Sequence, residues 1–219
     1  MPTLTRDADV FVLDLGDDEN RFHPDWLAEV GAALDEVERA TPRALVTTAS
    51  GRFFSNGLDL EWLGRHGDQL LSYVGDVQAL LARVLEFPAP TVAAIQGHAF
   101  AAGAMLALAH DFRVMRADRG FFCLPEVDIN LPFAPGMSAL VQHKLTPSAA
   151  LEAMTTGRRY GGTDAAVAGV VDAAVAEEEV LDTAVARVRP LAGKNPGTLG
   201  AIKAGMYADT LRRLREPAV

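Results

Sequence analysis

Short apolar runs alternate with helical segments along the first half of this chain. The runs have the length and aliphatic composition of buried strands, and they cover residues 10–15, 44–48, 91–95 and 112–115. Between them, apolar residues recur at helical spacing after Pro24, and a longer helix is predicted over about residues 68–86. Strands that alternate with helices indicate a mostly parallel sheet with right-handed crossovers, so we expect an α/β fold.

The last third of the chain has a different pattern. One short extended piece is predicted at residues 170–173, and helices are predicted over residues 138–144, 146–155, 163–168, 177–191 and 196–214. No low-complexity tract separates this part from the rest. We therefore predict one folding unit, with an α/β core over residues 1–135 and a helical region over residues 136–219.

Charge and composition exclude several classes of function. The chain has 20 Lys and Arg against 29 Asp and Glu, and a formal net charge of −9 argues against a nucleic-acid partner. No apolar run approaches the ~18 residues of a membrane span, so we expect no membrane partner. The five histidines are scattered without metal-ligand spacing, so we expect no metal.

Targeting signals and cysteine content favour the cytoplasm. The first residues, MPTLTRDADV, lack the basic and apolar regions of a signal peptide, and the last, REPAV, match no retention or peroxisomal signal. Cys123 is the single cysteine, so no intrachain disulfide can form. Its apolar neighbours predict that it is a core residue.

Three segments carry residues that are suited to chemistry, each close to the end of a predicted strand. They read FFSNGLDL at residues 53–60, GHAFAAG at residues 97–103 and LPEVDINLP at residues 124–132. Loops at the carboxyl ends of strands are where α/β sheets usually bind ligands. Small residues in the second segment let a ligand approach backbone N–H groups, which can hold an anion without a side chain.

Together these segments resemble those of the crotonase superfamily, the enoyl-CoA hydratase/isomerase group. The resemblance rests on their order and spacing, with Asp111 in AHDFR and the Pro125–Glu126 pair, and it extends from about Val10 to at least Val175. It implies a crotonase-like (ClpP/crotonase) α/β spiral of ββα units, with a helical C-terminal region that forms a trimer or a dimer of trimers. It also implies an acyl-CoA substrate and no separate cofactor.

The resemblance further implies an oxyanion hole that consists of two backbone N–H groups. By position these belong to Leu58 and Ala102. They would stabilise the enolate that forms when a proton leaves the carbon next to the thioester carbonyl. The residues expected to contact substrate around them are Phe54, Asn56, Gly57, Gly103, Met105, Leu131 and Phe133.

The number of carboxylates separates two reactions within this group. Its hydratases generally use two glutamates, because water must be activated and a proton donated. Glu126 matches one of these, whereas Met105 stands where the other would be. One carboxylate suffices to take a proton from C2 and return it at C4. The resemblance is nearest to plant-type Δ3,Δ2-enoyl-CoA isomerases and implies that reaction, with Glu126 as the catalytic residue.

Two alternatives remain open. One is hydration, or another acyl-CoA reaction, in which Asp128 assists Glu126, although we expect Asp128 to cap nearby backbone N–H groups. The other is a non-catalytic acyl-CoA-binding subunit. A serine hydrolase built on Ser55 and His98 is disfavoured, because no Gly-x-Ser-x-Gly motif and no third member are evident.

Three positively charged residues are candidates for contact with the phosphate groups of the ligand. CoA carries a 3′-phosphate and a pyrophosphate, so cations are expected nearby, and the candidates are Arg21, Arg52 and Lys203. A solvated helix or loop charge is the other interpretation of each.

We expect Asp59 to cap the segment that follows it.

Overall fold

The computed structural model describes residues 1–217. The strands in this range are β1 (Thr3–Asp7), β2 (Val10–Asp14), β3 (Ala44–Thr48), β4 (Phe53–Ser55), β5 (Thr91–Ile95), β6 (His98–Phe100), β7 (Phe112–Arg116), β8 (Phe122–Cys123) and β9 (Ala173–Val175). The helices are α1 (Pro24–Arg39), α2 (Leu60–Arg65), α3 (Leu70–Leu85), α4 (Ala102–Ala109), α5 (Pro135–Lys144), α6 (Pro147–Thr156), α7 (Gly162–Val167), α8 (Val180–Val188), α9 (Pro196–Met206) and α10 (Ala208–Arg215).

The strands form two sheets. The larger has the order β1-β2-β3-β5-β7-β9, and every neighbouring pair is parallel except β1 and β2, which are antiparallel. The smaller is a parallel sheet of β4, β6 and β8. The predicted α/β fold with a mostly parallel sheet is confirmed.

The chain winds between the two sheets as a spiral. The pairs β3–β4, β5–β6 and β7–β8 each place one strand in the large sheet and the next in the small sheet, and helices α2–α3 and α4 connect successive turns. All residues of β3 and β5 are buried, as expected for apolar strands in the centre of a parallel sheet. This winding brings the ends of the three short strands together.

Helix α4 occupies the interior of the molecule. Each of its eight residues is buried, in keeping with a sequence, AGAMLALA, that is apolar on every side. By contrast, α1 is amphipathic and buries Trp26, Val30, Leu34 and Val37, which confirms the helix predicted after Pro24. None of the helices within residues 1–217 is long and apolar enough to cross a membrane.

Several element predictions need correction. The strands β4, β6 and β8 are two or three residues long and are absent from the sequence-based expectations, because so short a length shows no periodicity. The extended piece expected at residues 170–173 lies at Ala173–Val175, and the helix expected over 196–214 is interrupted at Tyr207. The region predicted as helical, 136–219, contains helices α6–α10 and most of α5, together with the strand β9; residues 218–219 lie outside the described part.

Candidate active site

A cavity of about 410 Å³ opens where β4, β6 and β8 end. Residues 56 and 58 line it from the first loop, residues 100–102 from the second, and residues 125–126 and 129 from the third. Helices α2, α3 and α5 contribute apolar side chains, among them Leu63, Val74 and Met137. The prediction that the three motif segments meet at one sheet edge is therefore confirmed.

Hydrogen bonds hold the first loop in place beneath the cavity. The Ser55 hydroxyl donates to the Asn20 carbonyl oxygen at 2.8 Å and accepts from the Gly57 N–H at 3.1 Å. The Phe22 N–H donates to the Gly57 carbonyl oxygen at 2.8 Å. Since Ser55 is fully buried and both roles of its hydroxyl are occupied, it supports the loop and is no candidate nucleophile.

The first and second loops touch at Gly57 and Ala102. Gly57 has a φ of +77°, and a Cβ atom there would lie 2.9 Å from the Ala102 backbone nitrogen. Leu58 and Ala102 both line the cavity. Among the described residues, neither the N–H of Leu58 nor that of Ala102 donates a hydrogen bond to the backbone.

The residue before Ala102 adopts an uncommon backbone conformation. Ala101 has a φ of +49° and a ψ of −125°, which side-chain-bearing residues rarely adopt. Its N–H donates to the Cys123 carbonyl oxygen at 3.0 Å, so β8 holds the turn in this conformation. The turn places Ala102 as the first residue of α4, where an N–H has no intrahelical acceptor.

Glu126 follows β8 and faces the cavity from the third loop. The residue is 5% exposed, and its Oε2 atom is buried without a hydrogen-bond partner. Burial raises the pKa of this carboxyl to about 7, because the charged form loses solvation. A carboxylate with such a pKa can both accept and release a proton near neutral pH.

Glu126 is the single carboxylate among the described residues that line the cavity. Met105, which is 1% exposed, also lines it. Asp128 does not; it is exposed and lies against the backbone at Gly157. Among the described residues that line the cavity there is therefore one carboxyl group and no second one.

Four of the residues expected to contact substrate line the cavity, namely Asn56, Met105, Leu131 and Phe133. Phe54, Gly57 and Gly103 do not line it, and their contact with substrate stays a prediction. Phe54 is fully buried in the core. A Cβ atom on Gly103 would lie 2.4 Å from the Ser55 carbonyl oxygen, so this glycine lets α4 pack on β4.

The three cations expected near CoA phosphates lie in different places. Arg21 lines the cavity and pairs with Glu19. Arg52 lies outside the cavity, in a surface depression at the edge of the small sheet. The prediction for Lys203 is corrected, because its ammonium is buried and bonded to Asp111 at 2.6 Å and to the carbonyl oxygens of Phe87 and Ala89.

Sequence reasoning missed Arg159, which also lines the cavity. It follows α6 in a segment without a motif. Folding places its guanidinium 5.9 Å from the ring centroid of Phe100, a residue far away in the sequence. Cys123 also lines the cavity, and burial raises the pKa of its thiol to about 11. It is 2% exposed, as predicted for a core residue.

Two further expectations concern caps and metals. The Asp59 carboxylate accepts a hydrogen bond from the Trp62 N–H at 2.9 Å, which confirms it as the cap of α2. Within residues 1–217, no group of three or more His, Cys, Asp or Glu side chains is arranged to hold a metal ion.

Comparison with known proteins places the chain among relatives of similar length. The sequence profile of the family described as enoyl-CoA hydratase/isomerase matches residues 5–218. "Enoyl-CoA delta isomerase 2, peroxisomal" of Arabidopsis thaliana is 41% identical over 206 residues, which cover 89% of this chain and 86% of the plant protein.

Two solved structures show the same fold. The human mitochondrial delta3-delta2-enoyl-CoA isomerase has a TM-score of 0.90 at 25% identity, covering 97% of this chain and 85% of that one. A probable enoyl-CoA hydratase from Mycobacterium tuberculosis H37Rv has a TM-score of 0.90 at 30% identity, covering 98% of this chain and 91% of that one. Relatives named for two different reactions thus share this architecture.

Proposed function

Because this chain belongs to the enoyl-CoA hydratase/isomerase family, we propose that it converts 3-enoyl-CoA into trans-2-enoyl-CoA. The observation that carries the proposal is the single carboxylate, Glu126, facing a cavity in which Met105 occupies the position expected for a second one. The name of the Arabidopsis relative supports the same reaction.

In the first step, Glu126 removes a proton from C2 of the substrate. The thioester oxygen accepts hydrogen bonds from the N–H groups of Leu58 and Ala102, and the electron pair of the broken C–H bond delocalises onto that oxygen. These donors stabilise the resulting dienolate because they are fixed in place before the charge develops. Loss of one such donor typically costs ~10²–10³ in rate.

In the second step, the protonated Glu126 returns the proton at C4. The C2–C3 double bond forms as the C3–C4 double bond is lost, and the carboxylate is regenerated. The reaction is redox-neutral and neither adds nor removes atoms, so it requires no electron acceptor and no co-substrate. A pKa near neutrality suits both halves of this transfer.

Hydration would require a second group to activate or orient water. Asp128 was the candidate, and its exposed position outside the cavity leaves it poorly placed for that role. The apolar side chains of Met105, Leu131 and Phe133 offer water no hydrogen-bond partner beside Glu126. These features favour isomerisation over hydration.

The two reactions are separated by one experiment. We expect the purified protein to convert 3-hexenoyl-CoA to the 2-enoyl product and to hydrate crotonyl-CoA far more slowly. Faster hydration than isomerisation would contradict the proposal. Tight binding of acyl-CoA without turnover of any enoyl-CoA would instead identify a non-catalytic binding subunit.

We also propose, from the same family resemblance, that the chain assembles as a trimer. An apolar groove of about 550 Å³ supports this, since Leu199, Ile202 and Met206 of α9 line it and the last two are 53% and 59% exposed. Sedimentation equilibrium would give a mass near three chains; a monomer at all concentrations would contradict the assembly without touching the proposed reaction.

A further inference from the structure

The backbone of the first loop, from Gly57 to Asp59, has hydrogen-bond partners for all of its polar groups except one. The carbonyl oxygens of Leu58 and Asp59 accept hydrogen bonds from the N–H groups of Leu60 and Leu63, at 3.1 and 3.0 Å. Both polar groups of Gly57 are bonded as described above. Among the described residues, only the N–H of Leu58 in this stretch has no acceptor, and Leu58 lines the cavity.

The remaining group, the N–H of Asp59, is bonded to a side chain from a different element. It donates to the hydroxyl oxygen of Tyr73 on α3 at 2.8 Å. Tyr73 is 2% exposed, and its ring lies 5.2 Å from that of Trp62 on α2, measured between centroids. Because the ring is packed on its neighbours, the hydroxyl that holds the first loop has a fixed position.

The two peptide groups on either side of Leu58 are therefore both anchored. The preceding group is held through the Gly57 carbonyl oxygen, which accepts from the Phe22 N–H, and the following group through the Asp59 N–H. In a trans peptide the carbonyl oxygen and the N–H point in opposite directions, so the contact with Phe22 directs the Leu58 N–H away from Phe22. With both flanking peptides anchored, neither backbone dihedral angle of Leu58 is free to change.

We propose that Tyr73 is a positioning residue for the Leu58 oxyanion donor, an inference that rests on the proposed function. Without the Tyr73 hydroxyl, the Asp59 N–H loses its acceptor, and the peptide between Leu58 and Asp59 is free to rotate toward another partner. That rotation moves the Leu58 N–H relative to the N–H of Ala102. The two donors then no longer converge on one oxygen atom, and the enolate loses part of its stabilisation.

Tyr73 acts through the backbone and not on the substrate. It is not one of the described residues that line the cavity, although Leu70 and Val74 on the same helix do line it. Burial raises the pKa of Tyr73 to about 12, so its hydroxyl stays neutral over the range in which Glu126 titrates. The variant Tyr73→Phe should therefore keep the inflection of kcat/KM near pH 7. A lost inflection would give Tyr73 a role in proton transfer and overturn the proposal.

Kinetics of Tyr73→Phe test the proposal, because this variant removes the hydroxyl and keeps the ring that packs on Trp62. We expect kcat for 3-hexenoyl-CoA to fall roughly tenfold, the factor for one lost hydrogen bond of ordinary strength. KM should change little, since the thioester oxygen carries little charge in the ground state.

Tyr160→Phe is the matched control. Tyr160 is also fully buried, and its hydroxyl likewise forms one hydrogen bond, to Glu152 at 2.7 Å. This variant loses the same chemical group at a position that does not touch the first loop, so we expect wild-type kcat. An unchanged kcat in Tyr73→Phe, or an equal loss in both variants, would overturn the proposal.

A saturated thioester tests the positioning without reference to turnover. Hexanoyl-CoA labelled with carbon-13 at the carbonyl has no double bond to move, so it binds and stays unchanged. Hydrogen bonds from the two N–H groups polarise the bound carbonyl and shift its NMR resonance downfield. We expect a smaller shift in Tyr73→Phe than in the wild type or in Tyr160→Phe. Equal shifts in the three proteins would overturn the proposal.

These measurements separate the role of Tyr73 from the proposed reaction and from folding. A wild-type protein that polarises the bound thioester and converts no 3-enoyl-CoA would contradict the proposed function, while the carbonyl shift would still test Tyr73. Calorimetric titration with hexanoyl-CoA counts the folded binding sites in each variant, so that kcat is expressed per site. A loss of kcat that vanishes on this basis would mean that Tyr73 only stabilises the fold, and it would overturn the proposal.

Discussion

The backbone of Gly57 packs directly against the backbone nitrogen of Ala102. A Cβ atom on Gly57 would lie 2.9 Å from that nitrogen and 3.0 Å from the Phe100 carbonyl oxygen. Both neighbours are backbone atoms, which cannot rotate aside as a side chain can. Gly57 thus sets the spacing between the two loops that carry the proposed oxyanion donors. Its positive φ gives a second reason for glycine.

Gly57→Ala is therefore expected to separate these loops. We expect kcat for 3-hexenoyl-CoA to fall by ~10²–10³, the usual cost of losing one oxyanion donor. Gly75→Ala is the matched control, because no atom lies within 4 Å of a Cβ at that position in α3. It should leave kcat unchanged and stabilise the helix by ~1 kcal/mol. Wild-type kcat in Gly57→Ala would contradict the assigned donors.

Glu126→Gln removes the proposed proton carrier and keeps the shape of the side chain. We expect kcat to fall by ~10²–10⁴, the usual contribution of general acid–base catalysis. Acyl-CoA binding, measured by calorimetry, should stay within a few-fold of wild type, because the cavity is otherwise intact. Asp128→Asn serves as the control and should retain activity. Full turnover by Glu126→Gln would refute the mechanism.

The pKa of Glu126 predicts the dependence of rate on pH. In the proposed mechanism the free enzyme needs the carboxylate form to remove the C2 proton, so kcat/KM should rise with pH and level off above about 7. Stopped assays across pH 5–9 measure this profile. An inflection near the ordinary carboxyl value of 4.5 would show that Glu126 is not desolvated in solution.

The contribution of Glu126 to the free energy of unfolding should fall as pH rises, whereas kcat/KM rises. The folded-state pKa of Glu126 is raised, so the folded chain retains a proton that the unfolded chain releases between pH 4.5 and about 7. The contribution is present below pH 4.5 and is lost as pH rises through 7. Urea titrations of the wild type and Glu126→Gln measure it as a difference: the unfolding free energy of the wild type should decline relative to that of the variant as pH rises from 4.5 to about 7.

Met105→Glu places a second carboxylate in the cavity. We expect measurable hydration of crotonyl-CoA and slower isomerisation, because two nearby carboxyls hinder each other's ionisation and can share the work of activating water. Met105→Gln is the uncharged control and should not hydrate. A variant that folds, binds acyl-CoA and still shows no hydration would mean that carboxylate count does not separate the two reactions here.

Lys203 is predicted to act on stability and not on substrate binding. Lys203→Met leaves Asp111 without its buried partner, and breaking such a pair costs ~3–5 kcal/mol. We expect the urea midpoint to fall strongly while KM for 3-hexenoyl-CoA is unchanged. Lys194→Met, at an exposed lysine near the same helix, should alter neither. A raised KM with normal stability would restore the phosphate-binding role expected from sequence.

Much of the site could be predicted because its parts are local in the chain. The strands β3 and β5 have the bounds expected from their apolar runs, since burial on both faces demands continuous hydrophobic residues. Glu126 follows Pro125 within one short loop, and Met105 stands four positions after Ala101. Such spacings are properties of the sequence and survive in the folded structure.

Other features depend on contacts between distant segments. The small sheet consists of strands too short to show a pattern, and each is stable only because its neighbours supply hydrogen-bond partners. Phe54 and Gly103 belong to the motif segments but pack beneath the cavity. Phe54 lies on β4, where alternate residues face opposite ways, whereas Gly103 lies in α4 and packs against Ser55 of β4. The position of Arg159 beside Phe100 likewise exists only after folding.

The sequence by itself determined the alternation of strands and helices and the absence of a carboxylate at position 105, because both are local properties of the chain, and its resemblance to a family implied the spiral and the proposed role of Glu126. The tertiary structure alone decided which of these groups meet and how they are solvated. It buried Glu126 and raised its pKa to about 7, left Asp128 exposed outside the cavity, and paired Lys203 with Asp111. Burial and charge pairing depend on what surrounds a residue in space, and that surrounding comes from segments far away in the chain.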